Sequence, residues 1–363
     1  MELTDLKTPY RRHQAEIDAR LRAVLERGAF IMGPEVAELE GELSRYAGVK
    51  HAVTTASGTQ GLELALRALG IGPGDEVVTV AFTWISSAEV ALLVGATPVF
   101  VDIEPGSFTL DVSQLERAIT PRTRAIVAVS LFGQMADFPA INALAAQYGL
   151  AVIEDGAQSF GATQLGRRSG SVTRVGCTSF FPTKPLGCYG DGGALFTDDD
   201  ALADALRALR THGAATRHHH TMVGTNGRLD TLQAAVLLAK LPHFEQELEL
   251  RQAIGARYSE ALGDLCEAPR VSPGNTHVYA QYTIRVKHRA ELVAQLERAQ
   301  IPSAVYYPKC LHQQPVFAGR AVWRELRESE RAAREVVSLP LHPYLSDAEQ
   351  ARVISAVRAA LGR

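Results

Sequence analysis

The chain has 363 residues, 46% of them hydrophobic and 21% charged, with a net charge of −3. That composition suits one large or two moderate cores, and near-neutral charge gives no reason to expect a nucleic acid or a membrane surface as partner. No run is long and apolar enough to span a bilayer, and the first residues lack a basic-then-apolar signal pattern, so a cytoplasmic location is the expectation.

In chain order, the first chemically informative stretch is Thr55-Ala56-Ser57-Gly58-Thr59-Gln60-Gly61, followed by helical apolar spacing over 62–69. Ser57 or Thr59 suits the N-cap. Small residues at a helix start leave backbone N–H groups free to bind a phosphate, with the dipole assisting. An ordinary capped helix has the same appearance.

Gly70-Ile71-Gly72-Pro73-Gly74-Asp75 mimics a nucleotide loop. A dinucleotide fingerprint follows a strand and opens a helix, whereas this stretch follows a helix and opens a strand, so it is a turn. Strand-like runs come next at 76–80, 98–101, 125–129 and 151–153, with amphipathic stretches at 83–94 and 138–148. Such alternation predicts an α/β layered domain with a mostly parallel sheet. The run from 150 to 153 leads to Asp155, at the carboxyl end of a strand, where open α/β sheets place their ligands. An aspartate there either pairs with a protonated ring nitrogen or simply caps the next turn.

Strand-like runs at 177–181 and 194–197 enclose the most informative segment, Thr178-Ser179-Phe180-Phe181-Pro182-Thr183-Lys184-Pro185-Leu186-Gly187-Cys188-Tyr189-Gly190-Asp191-Gly192-Gly193. It sets one lysine between an apolar run and a glycine-rich turn. Partial desolvation lowers a lysine's pKa, and the neutral amine can then attack a carbonyl. The other reading of Lys184 is a surface lysine in a loop.

The four cysteines, Cys177, Cys188, Cys266 and Cys310, form no CxxC pair and read as small hydrophobes. The run Arg217-His218-His219-His220 has no acid or cysteine at ligand spacing, so no metal is expected; a mobile loop fits better.

Gly224-Thr225-Asn226-Gly227-Arg228-Leu229-Asp230 is a polar loop running into a helix over 229–240 whose start carries Asn226 and Arg228, both natural anion ligands. Pro242 interrupts, and 243–262 continues as a long charged helix bridging two domains. Beyond it, strands are predicted at 278–286 and 303–307 around a helix at 289–299. Residues 1–244 thus form a large domain and 245–363 a smaller α+β domain.

Taken together, Ser-Phe-Phe-Pro-Thr-Lys with Gly-Asp-Gly-Gly, Glu-Asp-Gly-Ala-Gln and Asn-Gly-Arg-Leu-Asp resembles the DegT/DnrJ/EryC1/StrS family of pyridoxal phosphate (PLP)-dependent sugar aminotransferases. The resemblance extends from Asp5-Leu6-Lys7 to Ser338-Leu339-Pro340-Leu341-His342-Pro343. It implies the fold type I, aspartate aminotransferase-like architecture, with the first residues near the small domain. Within the family the chain is most similar to the enzymes that aminate UDP-2-acetamido-2-deoxy-3-oxo-glucuronate for O-antigen and lipopolysaccharide synthesis.

The resemblance also implies roles, one residue at a time. Lys184 matches the Schiff-base lysine and proton carrier, and Asp155 the partner of the pyridine nitrogen. Gln158 matches the contact to the phenolic oxygen. Gly58, Thr59 and Ser179 match the phosphate ligands, and Trp84 the aromatic over the ring face, although by itself it reads as a core tryptophan. Asn226 matches a residue reaching the phosphate from the neighbouring subunit, so the active sites would be shared in a homodimer. Arg228 is the candidate for acidic groups of the donor or the sugar.

L-glutamate would give its amine to PLP, and a UDP-linked keto sugar would receive it. A histidine in place of the lysine marks the family's dehydratases, so Lys184 argues for transamination. One departure stands in the late loop, where uronate-specific relatives often carry histidine and this chain has Tyr306, followed by Tyr307-Pro308-Lys309. Tyr306 can still donate a hydrogen bond, and Lys309 can add a charge contact to a carboxylate or diphosphate. Tyr279-Ala280-Gln281-Tyr282 and Gln313-Gln314-Pro315 favour the 3-keto uronate. The alternatives are a 4-keto-6-deoxy nucleotide sugar as acceptor, a non-catalytic PLP-binding regulator, and a dehydrogenase.

Overall fold

A computed structural model of the chain describes residues 1–216 and 218–362. An eight-stranded sheet forms its centre, in spatial order His51–Thr55, Gly193–Thr197, Val175–Ser179, Ala151–Asp155, Thr123–Val129, Glu76–Val80, Thr97–Val101 and Val322–Trp323. Only Gly193–Thr197 runs against the rest. Because side chains alternate across a strand, each strand must feed two cores. Val78, Ile126, Ala128 and Val152 face one of them, covered by the helices Pro34–Ala47, Phe138–Tyr148 and Thr231–Lys240. Val77, Ala125, Val127 and Ile153 face the other, under Gly58–Ala68, Ser86–Leu93 and Asp200–Leu209.

A third core is separate. Tyr258, Leu262, Leu292, Leu296, Val353 and Val357 come from the helices Phe244–Leu262, Arg289–Arg298 and Asp347–Leu361. They pack on the antiparallel pair Tyr282–Arg285 and Val336–Leu339. Met1 packs against this core, so the chain's first residue lies with its last third.

The segment between these two sheet strands returns to the large sheet. Val322 and Trp323 pair with Val99 and Phe100, while Phe317, Leu326 and Ala332 are buried in the first core. Asp102, at the end of the strand Thr97–Val101, accepts from the N–H groups of Glu328 (2.8 Å) and Ser329 (2.7 Å) and so caps the helix Arg327–Glu335.

The predicted elements recur with shifted ends. The run at 177–181 becomes a strand over Val175–Ser179, because Phe180 and Phe181 already turn toward Lys184. The stretch at 303–307 forms no strand. Ala304 exchanges two hydrogen bonds with Ser338, after which the chain leaves the sheet and carries Tyr307 toward Gln158. The helix after Arg228 starts at Thr231, so Asn226 and Arg228 lie in the preceding loop and not on the helix start. The short strands Ala214–Thr216 and His219–His220 pair antiparallel and are mostly exposed, and Arg217 lies outside the described residues.

Candidate active site

Three strand ends and two helix starts converge on one place. The helix Gly58–Ala68 begins with Ser57 in extended conformation, its hydroxyl accepting from Gln60 N–H at 3.1 Å. Ser57 is therefore the N-cap. A Cβ on Gly58 would sit 2.9 Å from Cβ of Ser179, and one on Gly193 would sit 2.6 Å from the Ser57 carbonyl carbon. Glycine at both positions lets the helix start press against the ends of two strands. The helix's first turn, whose leading N–H groups have no acceptor within the helix, therefore lies against Ser179.

Asp155 closes its strand with its side chain only 6% exposed. Its Oδ2 accepts from the Ser87 hydroxyl at 2.6 Å and its Oδ1 from Ala157 N–H at 3.2 Å. Thr59 Oγ1 and Ser86 Oγ share a hydrogen bond of 2.6 Å. Burial holds the Lys184 amine below the usual lysine range, and the negative charge of Asp155 only partly opposes this. Lys184 and Asp155 thus share one electrostatic environment, and the lysine is half-buried in its turn.

Gln158 uses its carbonyl Oε1 to accept from Phe132 N–H at 2.7 Å, and its Nε2 donates to the Tyr307 hydroxyl at 3.2 Å. An amide nitrogen carries two protons, so one remains for a ligand. Tyr307 is pushed up by burial, and Asp155 adds to that. Trp84 is 58% exposed, with its ring centre 6.1 Å from that of Tyr307. It is not a core tryptophan. Ser179 Oγ accepts from Phe181 N–H at 3.3 Å, leaving its own proton to donate.

Asn226 is exposed, in a loop pinned to the helix start by Ala56 N–H donating to Gly227 O at 2.8 Å. Arg228 is half-buried, and its buried Nε has no partner. Tyr306 is half-buried beside Leu3, Thr4, Thr183 and Gln281, around a cavity of about 40 Å³. Lys309 is exposed, and no hydrogen bond ties its amine to the residues above.

Sequence reasoning passed over Ser86, Ser87, Tyr307 and Glu154. Glu154 is fully buried, accepting from Ser130 (3.0 Å) and Ser169 (2.7 Å) hydroxyls and from Gly170 N–H (2.6 Å). Burial raises its pKa against these donors. The Glu-Asp pair at the strand end was the available signal, since one of two adjacent strand residues must face away from the ligand. Among the described residues, the one group of three metal-type side chains in mutual reach is His13, Glu16 and His243, none of them from the histidine run.

The model of the DegT/DnrJ/EryC1/StrS aminotransferase family matches residues 11–358. The chain belongs to that family. It is 51% identical over 349 residues to the UDP-2-acetamido-2-deoxy-3-oxo-D-glucuronate aminotransferase of Pseudomonas aeruginosa, covering 96% of this chain and 97% of that one. Among solved structures, it superposes on a DegT DnrJ EryC1 StrS aminotransferase from Brucella abortus with a TM-score of 0.98, at 44% identity and over the whole of both chains. Bacillus subtilis NtdA with its bound cofactor PMP gives 0.91 at 31% identity, over 97% of this chain and 82% of that one. The architecture is accordingly fold type I, and the dehydrogenase reading is set aside.

The residues present fit the cofactor of this class. A desolvated amine, a buried carboxylate and a helix start suit an aldehyde, a ring nitrogen and a phosphate respectively. The unpaired Arg228 Nε offers a further donor to an anion. Pyridoxal 5'-phosphate is the cofactor.

Proposed function

We propose that this aminotransferase moves an amino group from L-glutamate to UDP-2-acetamido-2-deoxy-3-oxo-glucuronate, forming the 3-amino sugar for O-antigen and lipopolysaccharide synthesis. The single observation that carries the chemistry is the Asp155 carboxylate, buried at its strand end and held by Ser87 and Ala157, with its charge acting on the buried Lys184 amine. The similarity to the Pseudomonas aeruginosa enzyme supports the acceptor. When bound, pyridoxal phosphate supplies an aldehyde carbon that exchanges amines and a ring that accepts electrons from the carbon losing its proton.

The chain's own residues do the rest. Lys184 would hold the aldehyde through its amine and, once released, would carry the proton between the two reacting carbons. Asp155 would hold a proton at the ring nitrogen through its carboxylate. The N–H groups at Gly58 and Thr59, with the hydroxyls of Thr59 and Ser179, bind the phosphate. Gln158 gives its spare amide proton to the phenolic oxygen, and Trp84 covers one ring face.

Asn226 reaches the phosphate of the neighbouring subunit in a homodimer. Arg228 reads the acidic groups of glutamate or of the sugar through its fork. Tyr306 and Lys309 approach the sugar, Lys309 supplying charge for a carboxylate or diphosphate. The division into a cofactor-binding part, 1–244, and a smaller part, 245–363, belongs to the same proposal, as does a cytoplasmic location.

A panel of keto-sugar nucleotides offered to the aminated enzyme tests the acceptor. The 3-keto uronate should be consumed with the highest kcat/KM. A preference for a 4-keto-6-deoxy sugar would overturn that assignment while leaving transamination intact.

A further inference from the structure

We propose that Ser87 is a positioning residue for the reaction, fixing the Asp155 carboxylate in the orientation that serves the cofactor's ring nitrogen. Ser87 is fully buried, and its hydroxyl lies 2.6 Å from Asp155 Oδ2. An ionised carboxylate only accepts, so the serine proton must lie on that bond. Thr83 Oγ1 lies 3.4 Å from Ser87 Oγ and is left to donate to it, which gives a one-way chain from Thr83 through Ser87 to Asp155. The other carboxylate oxygen is held by Ala157 N–H. With each oxygen bound from within the protein, the plane of the carboxylate is set before any ligand arrives.

The neighbouring serine performs a parallel task. Ser86 hydrogen-bonds Thr59 at the start of the helix Gly58–Ala68, and Trp84 stands two residues earlier. Residues 83–87 therefore touch the groups assigned to the phosphate, the ring face and the ring nitrogen. The start of the helix Ser86–Leu93 and the three residues before it thus tie those three groups together. Losing the hydroxyl at position 87 would release Asp155 to turn and remove a hydrogen bond to its charge. Bonds to charged groups are worth enough to change a rate by about 10- to 100-fold.

This inference rests on the reading of Asp155 as the ring-nitrogen partner. The test uses holoenzyme carrying cofactor labelled with ¹⁵N in the ring, in the wild type and in Ser87→Ala, Ser87→Cys and Asp155→Ala. The cysteine variant keeps nearly the same volume with a weak donor, so it decides the matter if the alanine variant folds poorly. The readouts are the ring-nitrogen chemical shift, the cofactor dissociation constant and the single-turnover rate with glutamate.

The expected result is a signal displaced toward the unprotonated nitrogen in both serine variants, weaker cofactor binding, and a rate lower by about 10- to 100-fold. An unchanged signal and rate in the cysteine variant would overturn the proposal. If Asp155→Ala also leaves the signal in place, the reading of Asp155 itself fails; if only Asp155→Ala displaces it, the role of Ser87 alone fails.

Discussion

Gly58→Ala tests whether the helix start is the phosphate site. The added Cβ would stand 2.9 Å from Cβ of Ser179 and 3.4 Å from the Thr178 carbonyl oxygen. Carbon atoms at rest keep about 3.5–4.0 Å, so helix and strand must part by roughly half an ångström or more. Overpacking of this kind costs about 1–3 kcal/mol, and replacing a helical glycine by alanine returns about 0.5–1 kcal/mol. The net loss of fold stability is then about 0–2.5 kcal/mol, small enough for the protein to fold.

Cofactor affinity should suffer more. The same movement displaces the first N–H groups of the helix from Ser179, and each hydrogen bond to a charged group is worth about 1.5–3 kcal/mol. Weakening one such bond predicts a dissociation constant raised about tenfold or more. Gly41→Ala is the control, because its Cβ meets nothing within 4 Å in the helix Pro34–Ala47. It should stabilise the fold by about 0.5–1 kcal/mol and leave cofactor binding alone. Urea denaturation of the cofactor-free proteins gives the first quantity, and fluorescence titration with pyridoxal phosphate gives the second. If Gly58→Ala binds the cofactor as tightly as wild type, the helix start does not hold the phosphate.

Two further outcomes follow from the site. Lys184 has a folded pKa below its unfolded one, so its burial penalty is complete below the folded value and is relieved as pH rises toward about 10.4. Cofactor-free Lys184→Met should accordingly differ most from wild type below the folded pKa, with the gap narrowing as pH rises toward about 10.4; a gap independent of pH in urea titrations would contradict the lowered pKa. Mixing inactive Lys184→Ala with inactive Asn226→Ala, after exchange of subunits, should restore about a quarter of wild-type activity, since half the dimers are mixed and each has one intact site. No recovery after verified exchange would refute a shared site.

The chemistry-bearing ends of strands were legible because they combine a period change with unusual residues. Asp155 ends an apolar run, and Lys184 stands between such a run and a cluster of glycines. Ser87 and Ser86 carried no such mark, because a serine in the first turn of a helix is ordinary and its partner is 68 positions away for Ser87. The edge strand Val322–Trp323 escaped for a similar reason: two residues have no period, and only the neighbouring Val99 and Phe100 make them a strand. Conversely, 303–307 has strand-like composition, yet its pairing with Ser338 ends after one residue. Composition there reflects half-buried tyrosines beside the site. Trp84 shows the same limit from the other side, since its partner Tyr307 comes from a distant part of the chain.

The absorbance spectrum of the holoenzyme, before and after L-glutamate, tests most directly whether Lys184 and glutamate perform the donor half of the reaction. Wild type should be yellow, and glutamate should convert the visible band to the near-ultraviolet band of the aminated cofactor; Lys184→Ala should lack the visible band from the start. A visible band of wild-type intensity in Lys184→Ala, or none in wild type supplied with pyridoxal phosphate, would contradict the assignment of the lysine.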